Sequence, residues 1–345
     1  MKSLATIPGL MLIAVMLYQQ GAMGNNLTTS EVDEGEIHER KAPKTVVGKD
    51  SGQRKFALTL AGGGARGAAH VGVLKVLERE GIRPDFVCGN SVGAMIGGLY
   101  AAGVPVSELE RLVLSKEFQK AFFPINRKIK VFTYGFKYAL ARSLFIHPQI
   151  GLYSGKSLSN FVQRNLPKGV TNIEDTRIPF AAAAVDLVTT KEVWLSHGDL
   201  SQAIRASNSI PGFYRPLRVG DHVLVDGALK SNMPTDIAEA QGEPLVVAVR
   251  LQAYLDRVEQ KEFDTILDYG DRLVSIMLAD GEAQSLGDAD VLIEPKLPYM
   301  RTTSYQKEVL QKAIKEGETA AERMLPKLYE TTRRQNAHVK RQSEL

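Results

Sequence analysis

At 345 residues, with 44% hydrophobic and 24% charged side chains, the chain can bury one substantial core, which excludes wholesale disorder. The formal net charge of +4 is small, and five Lys/Arg against two Glu between Lys327 and Leu345 supply most of the excess, so no nucleic-acid partner is expected. A lone cysteine, Cys88, excludes an internal disulfide, and no Cys/His spacing resembles a zinc site, so no structural metal is expected either.

Residues 1–24 carry the basic Lys2, the apolar run LMLIAVMLY from Leu10 to Tyr18, and then Ala22-Met23-Gly24, with small residues where an export peptidase reads. This predicts a cleavable signal peptide and an exported protein, because the apolar run falls well short of the ~20 residues a spanning helix needs. No cysteine follows that would carry a lipid. Residues 25–52 are polar and charged, as in a flexible linker.

From Phe56 onward, short apolar runs alternate with helical periodicity, the signature of an α/β domain with a mainly parallel sheet. Strands are expected at 55–61, 85–88, 178–185, 191–195, 222–225, 244–250 and 290–293. Helices are expected at 67–80, closed by Gly81, at 91–102, and at 108–116 behind a Ser107-x-x-Glu110 capping box. A last helix is expected over about 304–329. The domain is read as 53–300, with a C-terminal helix and basic tail over 301–345.

The first strand-helix junction reads AGGGARG, in which Gly62, Gly64 and Gly67 satisfy the dinucleotide pattern G-x-G-x-x-G. That reading requires an acidic residue at the end of the next strand, about 20 residues on. Asp85 has the distance but stands at the start of that strand, so the dinucleotide reading fails at its most specific point. The other use of such a loop is to aim backbone N–H groups at an oxyanion.

The second junction, Cys88-Gly89-Asn90-Ser91-Val92-Gly93, is a G-x-S-x-G pattern between strand and helix. A serine on so sharp a turn stands clear of the sheet in a strained conformation, and Gly89 and Gly93 remove side chains that would collide across it. Its hydroxyl lies at a helix N-terminus, which favours developing negative charge. If the first two strands are neighbours, the loop's donors face Ser91.

A serine needs a base. Of the histidines His38, His70, His147, His197, His222 and His338, only His338 follows every plausible acid in the domain body, and it sits in the basic tail; His70 is expected to pack beside the loop. A carboxylate can serve instead, and Asp186 and Asp226 each end an apolar strand. Spacing alone does not choose between them. Asp226-Gly227 also fits a hairpin turn, although Ser231, Asn232 and Pro234 follow it and lead into a helix.

With GGGARG, GNSVG, VDL, ASNSIPGFYRP and DGALKSNMP in this order over about 55–250, the chain resembles the patatin-like phospholipase family, in its bacterial branch. The resemblance implies a three-layer α/β fold with a mainly parallel central sheet flanked by helices, and a Ser-Asp dyad that cleaves lipid acyl esters without histidine, metal or cofactor. By position it makes Ser91 the nucleophile and Asp226 the base, leaves Asp186 a structural role, and places an oxyanion hole in the loop Gly62, Gly63, Gly64, Arg66 and Gly67. Asn90 and Val92 depart from the family's usual Thr or Ala, a difference expected to bear on the pocket more than the chemistry.

Residues 118–150 hold eight aromatics and six Lys/Arg with no Asp or Glu. That mixture fits a cap facing an anionic membrane surface, and equally a sheet-covering core with its charges in solvent.

Overall fold

The uninterrupted apolar runs ALTL and FVCG become β1 (Ala57–Leu60) and β2 (Phe86–Gly89), parallel neighbours in register Ala57–Phe86 through Leu60–Gly89 and buried throughout. Strands with no polar alternation belong where helices cover both faces of a sheet. Residues 56–123, 151–240, 245–252, 255, 257–263, 266–285 and 289–343 are described, from a computed structural model. The expected signal peptide, the linker and most of the aromatic segment, 124–150, lie outside them.

The sheet continues through β3 (Phe180–Asp186), β4 (Glu192–Leu195), β5 (Leu217–Val219), β6 (His222–Asp226), β7 (Val246–Val249) and β8 (Val291–Ile293). Its order is β5-β6-β3-β2-β1-β7-β8, with β4 paired to β3. The pairs from β3 across to β8 are parallel, and those of β4, β5 and β6 are antiparallel. The order reverses at β1, the switch point at which open α/β sheets place their sites. Strand β5 was not expected: three residues with one buried position leave too short a pattern, and only its pairing across Gly220-Asp221 defines it.

Helix α1 (Ala68–Arg79) follows the glycine loop and ends before Gly81, whose φ of 66° stops it. Helix α2 (Val92–Ala101) follows Ser91. Helix α3 (Val106–Val113) corrects the expected capping box: Pro105 is the N-cap, its carbonyl accepts from Glu108 and Leu109, and Ser107 lies inside the first turn without capping it. It is Ser115 that caps, accepting from Phe118 N at 3.1 Å to open α4 (Lys116–Phe122). Helices α5 (Lys156–Asn165), α6 (Leu200–Ser207), α7 (Thr235–Ala240) and α8 (Ile266–Ser285) follow.

Helix α9 (Lys307–Ser343) begins three residues later than expected and runs on through the basic tail. It packs on α1 at backbone contact: a Cβ at Gly72 would overlap the Ile314 carbonyl, and one at Gly317 the Ala69 carbonyl. Among the described aromatics of the 118–150 segment, Phe118 and Phe122 are core, edge-on to each other at 5.4 Å, while Phe123 is half-buried.

Candidate active site

Because β1 and β2 are adjacent and parallel, the glycine loop and the G-x-S-x-G turn leave the same sheet edge side by side. The carbonyl of Ala61, one residue past β1, accepts from His70 Nε2 at 2.8 Å. Burial pushes His70 down to about 4, so it holds this carbonyl as a neutral ring. Beyond it the chain makes one tight turn, Gly64–Gly67, and enters α1.

Carbonyls from near the end of the sheet brace this turn. Ala65 N–H donates to Thr302 O at 2.8 Å, and the buried Arg66 guanidinium donates to Met300 O at 3.1 Å and Gln252 O at 3.2 Å. Within the loop, Gly62 N–H donates to Asn232 O at 3.2 Å and Arg66 N–H to Gly63 O at 3.3 Å. The amides of Gly63 and Gly64 have no protein acceptor among the described residues. Gly67 closes the turn, with α1 beginning at the next residue.

Ser91 holds φ 53° and ψ −124°, a region that costs a non-glycine residue of order 1–3 kcal/mol. Its surroundings hold it there. Ser91 N–H donates to Ser207 Oγ at 2.9 Å, and Asn208 Nδ2 donates to the Ser91 carbonyl at 2.8 Å. A Cβ at Gly89 would stand 2.5 Å from the Gly93 carbonyl carbon, as expected from the turn, but one at Gly93 would meet the Leu60 carbonyl of β1. The second glycine therefore serves the packing of α2 on the neighbouring strand as well as the turn.

Asp226 ends β6 and is buried. The hairpin reading of Asp-Gly does not hold, since Gly227–Leu229 form a helical turn that leads toward α7. Asp226 Oδ1 accepts from Ala228 N at 3.0 Å and Asn90 Nδ2 at 3.3 Å. Burial raises this carboxyl to about 6, against the lowering effect of hydrogen bonds from Ala228, Ser91 and Asn90. Ser91 and Asp226 line the same cavity, and the Ser91 hydroxyl donates a long 3.4 Å bond to Asn208 Oδ1. Asn90 was expected to bear on the pocket; instead it is fully buried behind the turn, joining Asp226 to Asn232 Oδ1 at 3.2 Å.

Asp186 lies elsewhere in function. Burial opposes its charge, but bonds from His222 Nδ1 at 2.9 Å, Val223 N at 3.0 Å, Val188 N at 3.1 Å and Thr189 Oγ1 at 2.9 Å outweigh it, and the carboxyl stays well below the usual range. It closes the β3–β4 turn and secures β6. The described histidine side chains bond elsewhere: His70 to Ala61, His197 to Ser196, His222 to Asp186. Asp85 accepts from Phe56 N at the far end of β1, away from the glycine loop, where it has no ribose to grip.

Gly63, Gly64, Ser91 and Asp226 line one narrow cavity of about 50 Å³, whose remaining wall is largely apolar: Phe122, Phe123, Ile210, Phe213, Tyr214, Val274, Met277, Leu278 and Tyr305. Larger hollows lie away from Ser91, at α8 beside Arg272 and between α4 and α5. Ser207 and Asn208 were not singled out from the sequence. They sit in the quoted ASNSIPG segment, but small polar residues ending a helix carry no pattern that says which backbone they will grip.

An α/β sheet with a strained serine on a strand-helix turn, facing a glycine loop at the switch point, defines a class of nucleophile-elbow proteins. The family model described as patatin-like phospholipase matches residues 58–239, more than half of the chain, and the chain belongs to that family of lipid hydrolases. It is 31% identical over 220 residues to patatin-like phospholipase domain-containing protein 6 of Homo sapiens, covering 63% of this chain and 14% of that protein. To an uncharacterized NTE family protein of Mycobacterium bovis it is 30% identical over 215 residues, 61% of this chain and 52% of the relative. The chain thus spans about half, or far less, of the length of these relatives. Among solved structures it is similar to VipD from Legionella pneumophila, with 17% identity, 89% of this chain and 72% of that one covered, and a TM-score of 0.44.

Proposed function

We propose that the chain is a carboxylic ester hydrolase of phospholipase A or lysophospholipase type, with Ser91 as nucleophile and Asp226 as its base. The observation that carries this reading is the meeting of Ser91, Asp226 and the Gly63 and Gly64 amides on one apolar-walled cavity. Asp226 accepts the Ser91 proton as Oγ attacks the ester carbonyl, and its raised pKa suits a base that must also return a proton to the leaving alcohol. Of the loop donors, Gly63 and Gly64 are the ones unspent among the described residues, and they take the oxyanion; removing one such donor typically costs ~10² to 10³ in rate. Water, activated by the same carboxylate, then releases the fatty acid.

The wall of aromatic and aliphatic side chains suits an acyl chain. The test is direct: Ser91→Ala and Asp226→Asn each abolish hydrolysis of a chromogenic ester with the fold intact, and a fluorophosphonate labels Ser91 in the unaltered chain. Full activity in either variant refutes the assignment. On the sequence grounds already given, we further propose that residues 1–24 direct export of the protein, which fractionation with amino-terminal sequencing tests.

A further inference from the structure

Asn90 stands between the glycine and the serine of the G-x-S-x-G turn, fully buried, and its carboxamide meets three separate parts of the site. Nδ2 donates to Asp226 Oδ1 at 3.3 Å and to Asn232 Oδ1 at 3.2 Å. Oδ1 accepts from Ser207 Oγ at 3.4 Å, and that hydroxyl in turn holds the Ser91 amide. Asn232 carries the connection on to the glycine loop: its Nδ2 donates to the Gly62 carbonyl at 3.3 Å, and its own carbonyl accepts from Gly62 N–H at 3.2 Å.

The directions of these bonds are set from both ends. The Gly62 carbonyl and the charged Asp226 carboxylate can only accept, so Asn232 turns its amide nitrogen to the loop, and Asn90 turns its own toward Asp226 and Asn232. Both flanking loops make way for the carboxamide. A Cβ at Gly62 would stand 3.0 Å from Asn90 Nδ2 and 2.5 Å from Asn232 Oδ1, and one at Gly227, next to the base, would stand 2.6 Å from Asn90 Oδ1.

On Asp226 the Asn90 bond lands on the same oxygen as the bond from Ala228 N, at 3.0 Å. Two N–H donors on Oδ1 hold negative charge there, so a proton arriving at this carboxyl goes to Oδ2. The Asn90 bond also favours the charged form against the burial that raises the group. A threonine at this position would bring one donated hydrogen to two acceptors, and an alanine none.

We infer that Asn90 is a positioning residue: it fixes Asp226 Oδ1 so that Oδ2 takes the Ser91 proton, and through Asn232 it ties the glycine loop to the same frame as the base. The inference rests on the proposed hydrolase reading. It gives position 90 a part in proton transfer, where the sequence pointed to the pocket.

The test follows hydrolysis of a short-chain chromogenic ester by the full-length chain as a function of pH. The base must be charged to act, so kcat/KM falls on the acid side through its pKa, about 6 in the parent. Asn90→Leu removes both donated bonds; it should lower kcat/KM at least tenfold and move the acid limb up by about half a pH unit or more. Asn232→Leu cuts only the link to the loop and should lower kcat with the acid limb in place. The other titratable groups on the cavity, Tyr214, Tyr305 and Asp271, which accepts from Thr302 Oγ1, are common to every chain compared, so the shift reports the bond removed.

An Asn90→Leu acid limb that coincides with the parent's overturns the positioning role even where the rate falls, because damaged packing slows turnover without moving that limb. A limb that moves as far in Asn232→Leu overturns it as well, since that side chain reaches the base only through Asn90. Should Asn90→Leu fail to fold, the smaller Asn90→Val, also without a donor, decides the same comparison. Where turnover is too slow to follow, the pH dependence of urea unfolding reads the same shift, as a loss of stability with rising pH that extends further toward neutrality in the variant. Failure of the hydrolase reading looks different: Ser91→Ala then keeps full activity, whatever the Asn90 variants do.

Discussion

Replacing Asp226 by Asn should make the protein more stable at neutral pH, and by an amount that depends on pH in a defined way. The folded carboxyl sits at about 6 against an ordinary 3.8, and burial is the cause. A raised acid binds its proton more tightly in the folded state, so its contribution is fully present below about pH 4 and is lost as pH rises through 6. At about 1.4 kcal/mol per pKa unit, the loss amounts to about 3 kcal/mol. Asparagine keeps an oxygen for the Ala228 amide and Asn90 Nδ2 but has no charge to bury. Urea denaturation of both chains at pH 4, 5, 6 and 7.5 isolates the group, since other titrations cancel in the difference. The variant should gain on the parent by about 2 kcal/mol between the ends of that range, since part of the loss has already occurred at pH 4. A difference flat with pH would refute the claim that this carboxylate is held charged against its environment, and with it the poise assigned to the base.

Asn208→Ala removes the carboxamide that grips the Ser91 and Ile204 carbonyls, each at 2.8 Å. We expect kcat to fall at least tenfold with KM within about twofold, because the elbow relaxes while the acyl wall is untouched; steady-state kinetics with a short-chain ester checks it. Gly72→Ala drives a methyl into the Ile314 carbonyl and should cost about 1–3 kcal/mol or more, read as a lower melting temperature, since backbone on both sides of the contact cannot turn away.

The parts of this molecule that were legible in the sequence are those in which local chemistry and the fold agree. β1 and β2 are buried on both faces and so read as unbroken apolar runs, and the two junctions that follow them need glycines at fixed offsets. Asp226 and Asp186 looked alike, because both end apolar strands; what separates them is which neighbours reach each carboxylate. Asp186 is surrounded by five donated bonds, the four named above and one from Thr189 N at 3.3 Å, whereas Asp226 is deprived of solvent and left near a serine. The capping box at Ser107 failed because Pro105, with φ already set for the turn, starts the helix two residues earlier. Asn90, Ser207 and Asn208 act through contacts more than 110 residues apart in the chain, which no local pattern records.

The carbonyls of Met300 and Thr302 lie some sixty residues past the end of the family-matched segment, 58–239, yet they hold Arg66 and Ala65 of the glycine loop. Helix α9, directly after them, is keyed into α1 through paired glycines. A protein shortened to the family-matched segment would therefore keep the serine and the aspartate but lose the scaffolding that aims the loop's amides. The loop that faces Ser91 is thus held from the chain's far end, and a proteolytic cut between β8 and α9, in the stretch that carries Met300, Thr302 and the cavity wall Tyr305, is expected to silence the proposed site.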